Sequence, residues 1–371
     1  MILDKVKPAS EGQRRLINAL RNERNEIVGV FGPTGTGKSL LCCAYALDAL
    51  LSDKYDRFIL IRPIIEAATG RELSIADLGR LFYDLALSYL EDTLKGLMDM
   101  KRIRELIEDR KIVVVDPHFL RGRTFDRDLI FVDDVQNVRP EDACEVLVRM
   151  GREARLIVAG DPILQKDVPF ENDGATVLRE SLRGEERAEI VELGLKDVIR
   201  PGALRGIRLL LEVKLRKRSL SQEERRIFES IEVRAPDADV LTVVDLRDAR
   251  RRFEIESEHV PDALVVTKVG HLGRVVGKGG ERIQAVEKEL SMRIRVIELS
   301  LNFEELLSAI HPAPWTLSHV VGTDLRGTKL QIMIRRRGIG AFMGQRACYA
   351  KFIDEVVKRL IGTGVRITER R

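Results

Sequence analysis

Apolar and polar positions in the first two hundred residues follow the order of strands alternating with helices. Short, almost wholly apolar runs predict buried strands, and the segments between them place apolar residues at helical spacing. Runs without polar alternation are typical of parallel strands covered on both faces. The predicted helical segments are 11–21, 40–51 and 83–108, the last as one helix or two, and the predicted strands are 27–31, 58–61, 112–115, 129–132 and 156–159. This order predicts an α/β domain with a mostly parallel sheet.

The pattern changes after a predicted helix that runs to about residue 217. Beyond it, the order strand, short helical segment, glycine-containing loop, helix and strand occurs twice. The two loops, 277–280 and 344–347, lie about 67 residues apart. A helix and a strand precede each copy, so both copies are small α+β units. The predicted domains are 1–217, 218–300 and 301–371.

A glycine-rich segment between the first predicted strand and the next helix matches the pattern G-x-x-x-x-G-K-S. Glycines let backbone N–H groups curl around phosphate oxygens, and the start of a helix favours an anion. Lys38 is expected to reach the β- and γ-phosphates of ATP, and the Ser39 hydroxyl to bind Mg²⁺. A chance glycine turn would lack the strand and helix on either side. The predicted nucleotide-binding residues are Gly32, Pro33, Thr34, Gly35, Thr36, Gly37, Lys38 and Ser39.

Two carboxylates end a neighbouring predicted strand. Asp133 and Asp134 follow 129–132, which places them near the crevice where α/β proteins bind ligands. Asp133 can hold Mg²⁺ through water, and Asp134 can polarise the attacking water, although acids at a strand end are by themselves common. Gln165, after the strand 156–159, can sense the γ-phosphate and orient water. The catalytic candidates are therefore Lys38, Asp134 and Gln165, and the metal candidates are Ser39 and Asp133.

The loop 277–280 has the sequence of a nucleic-acid clamp. A G-x-x-G loop between two helical segments, flanked by strands, is the loop by which KH domains hold about four nucleotides. The pattern alone is common in turns, and its frame is what favours RNA binding. The second loop, 344–347, has lost its last glycine, so it is either a degenerate clamp or a packing partner. The candidate RNA-binding residues are Arg274, Gly277, Lys278, Gly279, Gly280 and Arg282.

Charge is unevenly distributed along the chain. The formal net charge is +4, but residues 321–371 hold 12 Lys and Arg against 4 Asp and Glu, an excess of +8, so the rest sums to −4. A basic C-terminal segment of this kind indicates a polyanionic partner or, equally, a solvated basic helix. The four cysteines form no C-x-x-C pair, and no run is long and apolar enough to cross a bilayer. We expect a cytoplasmic protein with reduced thiols and no membrane partner.

Several of these motifs occur in the order of a known family. Residues 1–217 resemble PhoH-like ATPases, which are related to the motor core of superfamily 1 helicases. The motifs that carry the resemblance are Gln13 ahead of the phosphate loop, the loop itself, Arg62-Pro63, Arg121-Gly122-Arg123-Thr124, the DEAQN-like 133–137, Gly160-Asp161 with Gln165, and the DVVR-like 197–200. The resemblance implies a RecA-like P-loop NTPase that binds ATP and Mg²⁺, with Gln13 recognising adenine. Asp134 stands where the family has Glu, which implies slow hydrolysis.

Residues 218–371 resemble paired type II KH domains like those of the transcription factor NusA. Superfamily 1 helicases have a second motor lobe that supplies an arginine to the γ-phosphate, and only one lobe is recognisable here. The family resemblance implies a homo-oligomeric ring, for example a hexamer, so this arginine could come from a neighbouring subunit or from later in this chain. The candidate arginines are Arg121, Arg123 and Arg200.

Together these features predict an RNA-binding ATPase that remodels RNA or RNA–protein complexes. The expected partner is single-stranded RNA, with single-stranded DNA as the alternative. A second hypothesis is an RNA-tethering module that uses ATP as a slow conformational switch without helicase activity, and Asp134 favours it slightly. A small-molecule kinase would also have a phosphate loop, but it would have no use for paired KH domains.

Overall fold

A six-stranded parallel sheet forms the centre of the first part of the chain in the computed structural model of this protein, which describes residues 1–164 and 173–370. The strand order is β5-β2-β6-β7-β1-β8, and all neighbouring pairs are parallel. The strands are β1 (Ile27–Phe31), β2 (Arg57–Ile61), β5 (Ile112–Val115), β6 (Asp128–Val132), β7 (Arg155–Gly160) and β8 (Ala188–Glu192), and a separate short hairpin is formed by β3 (Ile64–Ile65) and β4 (Glu72–Leu73).

Successive side chains of the central strands are buried on opposite faces of this sheet. Leu129 and Phe131 of β6 pack in one apolar cluster with α1 and α2, and Ile130 and Val132 pack in another with α6 and α7. Both faces are covered, which explains why these strands show no polar alternation. The helices of this part are α1 (Glu11–Arg21), α2 (Lys38–Leu51), α3 (Ile75–Leu78), α4 (Arg80–Leu94), α5 (Met100–Glu108), α6 (Pro140–Val148) and α7 (Gly174–Ser181). The predicted α/β class is confirmed.

The chain divides into two compact units, Met1–Ala203 and Leu204–Arg371. The division falls at the start of α8 (Ala203–Arg216), whereas the sequence placed the boundary after that helix. Leu215 of α8 lines a small cavity with Val266, Leu306 and Leu360 of the second unit, so apolar packing assigns most of this helix to the second unit. Within the described ranges, no helix combines the length and the apolar character needed to cross a bilayer.

The second unit contains two three-stranded sheets with the same topology. In each sheet the middle strand pairs antiparallel with the strand before it and parallel with the strand after it. The first sheet has β9 (Val240–Asp245), β10 (Ala263–Thr267) and β11 (Ile294–Glu298), and the second has β12 (Val320–Arg326), β13 (Lys329–Arg335) and β14 (Gly364–Arg370). The helices are α9 (Gln222–Arg234), α10 (Arg247–Arg252), α11 (Leu272–Val276), α12 (Glu281–Leu290), α13 (Glu304–Ile310), α14 (Ile339–Met343) and α15 (Cys348–Ile361).

Candidate nucleotide site and nucleic-acid loop

The segment 32–39 connects the end of β1 to the start of α2, as its sequence predicts. Gly35 and Gly37 have φ values of +82° and +84°, in the left-handed region that glycine adopts without strain. A side chain at Gly35 would also approach Ala203, because an added Cβ would lie 2.7 Å from the Cβ of that residue. Glycine is therefore required here both by the backbone conformation and by the available space.

Lys38 is the buried cation of this loop. Its side chain is 9% exposed, and its Nζ donates to the carbonyl oxygens of Gly32 at 2.7 Å and Pro33 at 2.9 Å. The Thr36 hydroxyl donates to the same Pro33 oxygen at 2.8 Å. An ammonium held among backbone carbonyls, at the start of a helix, gives the loop positive charge against an anion.

Gln13, on α1, is hydrogen-bonded to the backbone of the phosphate loop. Its Nε2 donates to the carbonyl oxygen of Thr36 at 2.9 Å, and its Oε1 accepts from the Ala9 N–H at 2.8 Å. An added Cβ on Gly37 would lie 2.9 Å from the Gln13 Nε2. The side chain predicted to recognise adenine thus lies directly beside the phosphate loop, where it holds the backbone of that loop in place.

Asp133 is buried at the end of β6. The Tyr89 hydroxyl of α4 donates to its carboxylate, and the Asp134 N–H donates to its Oδ1 at 3.0 Å. Burial and the neighbouring charge of Asp134 raise the pKa of Asp133 to about 6, and the Tyr89 and Ser39 hydroxyls oppose that rise. The two predicted metal ligands, Ser39 and Asp133, are therefore neighbours in the structure.

Asp134 is held by two side chains. Arg62 donates through Nη2 to its Oδ2 at 2.9 Å, and Gln136 donates through Nε2 to its Oδ1 at 3.2 Å. Its φ is +54°, an unusual conformation for a residue with a Cβ, and such conformations concentrate at functional sites. The Asp134 carboxylate is fixed in a defined orientation beside the phosphate loop.

Arg62 and Tyr89 form a pair that the sequence analysis did not assign to the site. The Arg62 guanidinium lies 4.1 Å from the centre of the Tyr89 ring, in a cation–π contact. Tyr89 therefore links Asp133, through its hydroxyl, to Arg62, through its ring. A run of polar side chains near the end of this helix could have indicated the face, because Asp92 and Thr93 also line the site.

These groups surround a cleft of about 430 Å³, a volume within the usual range for ligand sites. Its lining residues include Thr34, Gly35, Gly37, Lys38, Ser39, Tyr89, Asp92, Thr93, Asp134 and Arg200. In the described part of the chain, no group of three or more His, Cys, Asp or Glu side chains could hold a metal ion by itself. A hydroxyl and one carboxylate suit Mg²⁺ bound together with phosphates, since this ion usually takes few protein ligands.

The three candidate arginines fall into two groups. Arg200 lines the cleft of its own chain, and its backbone N–H donates to the Gly35 carbonyl oxygen at 3.2 Å. Arg121 and Arg123 are exposed and do not line the cleft. Arg200 thus lies beside the phosphate loop, and the other two arginines are accessible at the surface.

Asp161 connects the end of β7 to the phosphate loop. Its Oδ2 accepts from the Thr34 N–H at 3.1 Å, and the Gln136 side chain accepts from the Asp161 N–H at 2.9 Å. Burial raises the pKa of Asp161. This carboxyl positions the loop, while Gln165, the proposed γ-phosphate sensor, lies outside the described residues.

The G-x-x-G loop of the first small sheet has the backbone expected of it. Gly277, Gly279 and Gly280 have positive φ values, and Lys278 is exposed. The loop joins α11 to α12. Glycine at three left-handed positions leaves the backbone open to close approach by phosphates.

The two flanking arginines bind the chain's own Asp237 turn. Arg282 donates through Nη1 to the Asp237 carboxylate at 2.5 Å and to the Arg274 carbonyl oxygen at 2.8 Å. Arg274 donates through Nη1 to the Asp237 carbonyl oxygen at 3.0 Å. The Arg282 guanidinium also lowers the pKa of Asp237. Both arginines hold the base of the loop, whereas Lys278 lies at its tip.

The second loop, 344–347, keeps this conformation with a single glycine. Gly344 has φ 72° and ψ 173°, against 78° and 174° at Gly277. Arg346 and Ala347 have φ values of 50° and 60°, where the first loop has glycines at 64° and 87°. The clamp geometry therefore persists although two of its glycines have been replaced.

Comparison with known proteins matches both parts of the chain. The family model described as "PhoH-like protein" matches residues 5–212, and the model described as "KH domain" matches residues 241–302. A PhoH-like protein of Synechocystis sp. is 34% identical over 189 residues, which cover 51% of this chain and 56% of that protein. A PhoH-like protein of Bacillus subtilis is 31% identical over 196 residues, which cover 53% and 60%. The chain thus matches just over half the length of these curated relatives.

Among solved structures, that of APE1850 aligns with 41% of this chain and 100% of its own, at 19% identity and a TM-score of 0.28. The Pif1 helicase from Candida albicans aligns with 71% of this chain and 64% of its own, at 14% identity and a TM-score of 0.30.

Proposed function

This chain belongs to the PhoH-like protein family and carries a KH domain, and we propose that it hydrolyses ATP and binds single-stranded RNA in order to remodel RNA or RNA–protein complexes. The observation that carries the proposal is a cleft at the carboxyl end of a parallel sheet that is lined by a buried lysine, a hydroxyl and the Asp134 carboxylate, with Asp133 buried next to Asp134.

Each group has a role in ATP hydrolysis. Lys38 and the loop N–H groups would bind the phosphates. Ser39 and Asp133 would hold Mg²⁺, the latter through water, and the ion would supply positive charge against the phosphates. Asp134, fixed by Arg62 at 2.9 Å, would orient the attacking water and accept its proton.

The second candidate function, RNA tethering with ATP as a slow switch, is favoured by the Arg62–Asp134 ion pair. The Arg62 guanidinium binds one oxygen of the Asp134 carboxylate at 2.9 Å, which leaves that oxygen less available to orient a water molecule. Asp134 is also shorter by one methylene than the usual Glu. Slow turnover without strand displacement would distinguish this function from remodelling.

We also propose that subunits of a homo-oligomer share sites. The side chains of Arg121 and Arg123 are exposed. Either could therefore reach the γ-phosphate of a neighbouring subunit, where an arginine of this kind accelerates phosphoryl transfer. Arg200 would act within its own chain.

The experiment is phosphate release from ATP, measured with and without single-stranded RNA. Wild-type protein should turn over ATP faster with RNA, and Lys38→Ala should abolish turnover while RNA binding stays largely intact. Lys101→Ala, an exposed lysine outside the cleft, is the matched control and should behave as wild type. Equal turnover in Lys38→Ala and wild type would refute the phosphate-loop assignment.

A further inference from the structure

The second sheet brings several arginines together at one end. β13 and β14 are parallel, and Arg335 and Arg370 are register partners at their final positions. β12 runs antiparallel to β13, with Val320 paired to Ile334, so its first residues lie at the same end. Arg336 and Arg337 follow β13 directly. The strand ends therefore present four arginines in one place.

Their charge is almost uncompensated. A shallow groove of about 570 Å³ at this end is lined by Val321, Arg335, Arg336, Arg337, Glu369 and Arg370, that is, four arginines against one glutamate. Among the residues the structure describes, these arginines make one ion pair, from Arg336 Nε to Glu369 at 3.8 Å, and the Arg336 side chain is 85% exposed. An exposed pair at this distance contributes little. The groove is therefore a positively charged surface.

Trp315, the chain's only tryptophan, lies in the segment that enters β12 at this end of the sheet. It belongs to the 3-10 helix Pro314–His319, which leads directly into β12. The Arg335 Nη1 donates to the Ser318 carbonyl oxygen at 3.4 Å, and the Ser318 hydroxyl donates to the Trp315 carbonyl oxygen at 2.9 Å. Trp315 is 65% exposed. The indole is thus exposed to solvent, and the short helix that carries it is hydrogen-bonded to the arginine cluster through Ser318.

We propose that this end of the second sheet is a separate binding surface for single-stranded RNA, on which Trp315 stacks with a base and Arg335, Arg336, Arg337 and Arg370 contact phosphates. Proteins that bind single strands without sequence preference combine a basic groove with exposed aromatic rings in this way. Arginines alone would suit any polyanion, and the indole beside them favours a ligand that carries bases. The inference rests on the proposed function in taking RNA as the partner, and it adds a site outside both glycine-containing loops.

The test uses full-length protein and the emission of Trp315, excited at about 295 nm. Oligouridylate of about 12 nucleotides should quench this emission saturably. Polyphosphate of equal charge, which has no bases, should leave it unchanged. Lys278→Asp combined with Gly279→Asp removes the first loop as a clamp, and the quenching should persist in this variant. Failure of the first-loop site or of ATP turnover is therefore distinguishable from failure of this surface.

Affinity is measured by anisotropy of a labelled oligouridylate. Trp315→Ala should bind about 5- to 150-fold more weakly, the loss expected for one stacked base, and Trp315→Phe should retain most of the affinity. Arg336→Glu with Arg337→Glu should weaken binding and reduce its salt dependence, whereas Arg226→Glu, an exposed arginine of α9, is the matched control. Unchanged Trp315 emission at saturating oligouridylate, or undiminished affinity in the Arg336/Arg337 variant, would overturn the proposal.

Discussion

Asp133 should destabilise the free protein at neutral pH. The side chain is 1% exposed, and burial with the adjacent Asp134 raises its pKa from 3.8 to about 6. Because the folded pKa lies above the unfolded one, the fold favours the protonated carboxyl. Relative to the ionised state, protonation of Asp133 therefore stabilises the folded protein. This stabilisation is fully present below the unfolded pKa and is lost as pH rises through the folded pKa. At about 1.4 kcal/mol per pKa unit, the ionised Asp133 lowers the free energy of unfolding by about 3 kcal/mol above pH 7.

Asp133→Asn removes the charge and keeps the shape, so it should stabilise the first unit. The amide oxygen can still accept from the Asp134 N–H, and the Tyr89 hydroxyl can rotate to accept from the amide NH₂. The free energy of unfolding of the variant should exceed that of wild type by about 3 kcal/mol near pH 8 and by about half of that near pH 5. For a domain of this size, each kcal/mol raises the unfolding temperature by about 2 to 4 °C.

Differential scanning calorimetry of the free full-length protein at several pH values measures this gain. Trp315 lies in the second unit, so its emission reports the unfolding of that unit alone and should not change in the variant. The control is Asp142→Asn, which alters an exposed i,i+3 pair and should change stability little. Asp128→Asn is less suitable because Asp128 binds Arg57. An Asp133→Asn variant that is less stable than wild type near pH 8, or equally stabilised at every pH, would refute the reasoning.

Three further outcomes test the sites. Asp134→Asn should lower ATP turnover about a hundredfold to ten-thousandfold with nucleotide affinity nearly unchanged by titration calorimetry; loss of binding would instead make this carboxylate structural or a metal ligand. Lys278→Asp with Gly279→Asp should weaken RNA binding and flatten its salt dependence without changing basal ATPase, and equal affinity at every salt concentration would contradict this role. Mixing Arg121→Ala with Lys38→Ala subunits should restore part of the ATP turnover if subunits share sites, and no rescue counts against sharing through this arginine.

Much of the first unit could be predicted because its signals are local. Apolar runs predicted five of the six strands of the sheet to within a residue or so, since a strand buried on both faces admits hardly any polar residue. The phosphate loop needs glycine at Gly35 and Gly37 for backbone reasons that any sequence must satisfy. Side chains at strand ends, such as Asp133, followed from the topology of a parallel sheet.

The parts that the sequence did not predict depend on tertiary contacts or weak patterns. The edge strand β8 has the sequence Ala-Glu-Ile-Val-Glu and is mostly half-buried. Two glutamates therefore interrupt the apolar run that would have predicted a strand. The predicted helical segment 83–108 forms two helices, α4 and α5, because the chain turns at Gly96, where φ is +81°, and the sequence pattern does not decide between one helix and two. The strand predicted ahead of the second copy begins only at Val320, after the 3-10 helix Pro314–His319. Tyr89 reaches Asp133 across 44 residues of sequence, a contact that no local pattern reports.

The loop 344–347 shows how a backbone shape can be specified from outside the segment that adopts it. Left-handed conformation costs a residue with a Cβ about 1 to 2 kcal/mol, so Arg346 and Ala347 hold theirs against their own preference, and α14 and α15 on either side must impose it. A glycine signature is thus sufficient for such a turn but not necessary. The freed positions can carry chemistry that glycine lacks, and at Arg346 the turn has acquired a guanidinium where its counterpart offers only main chain.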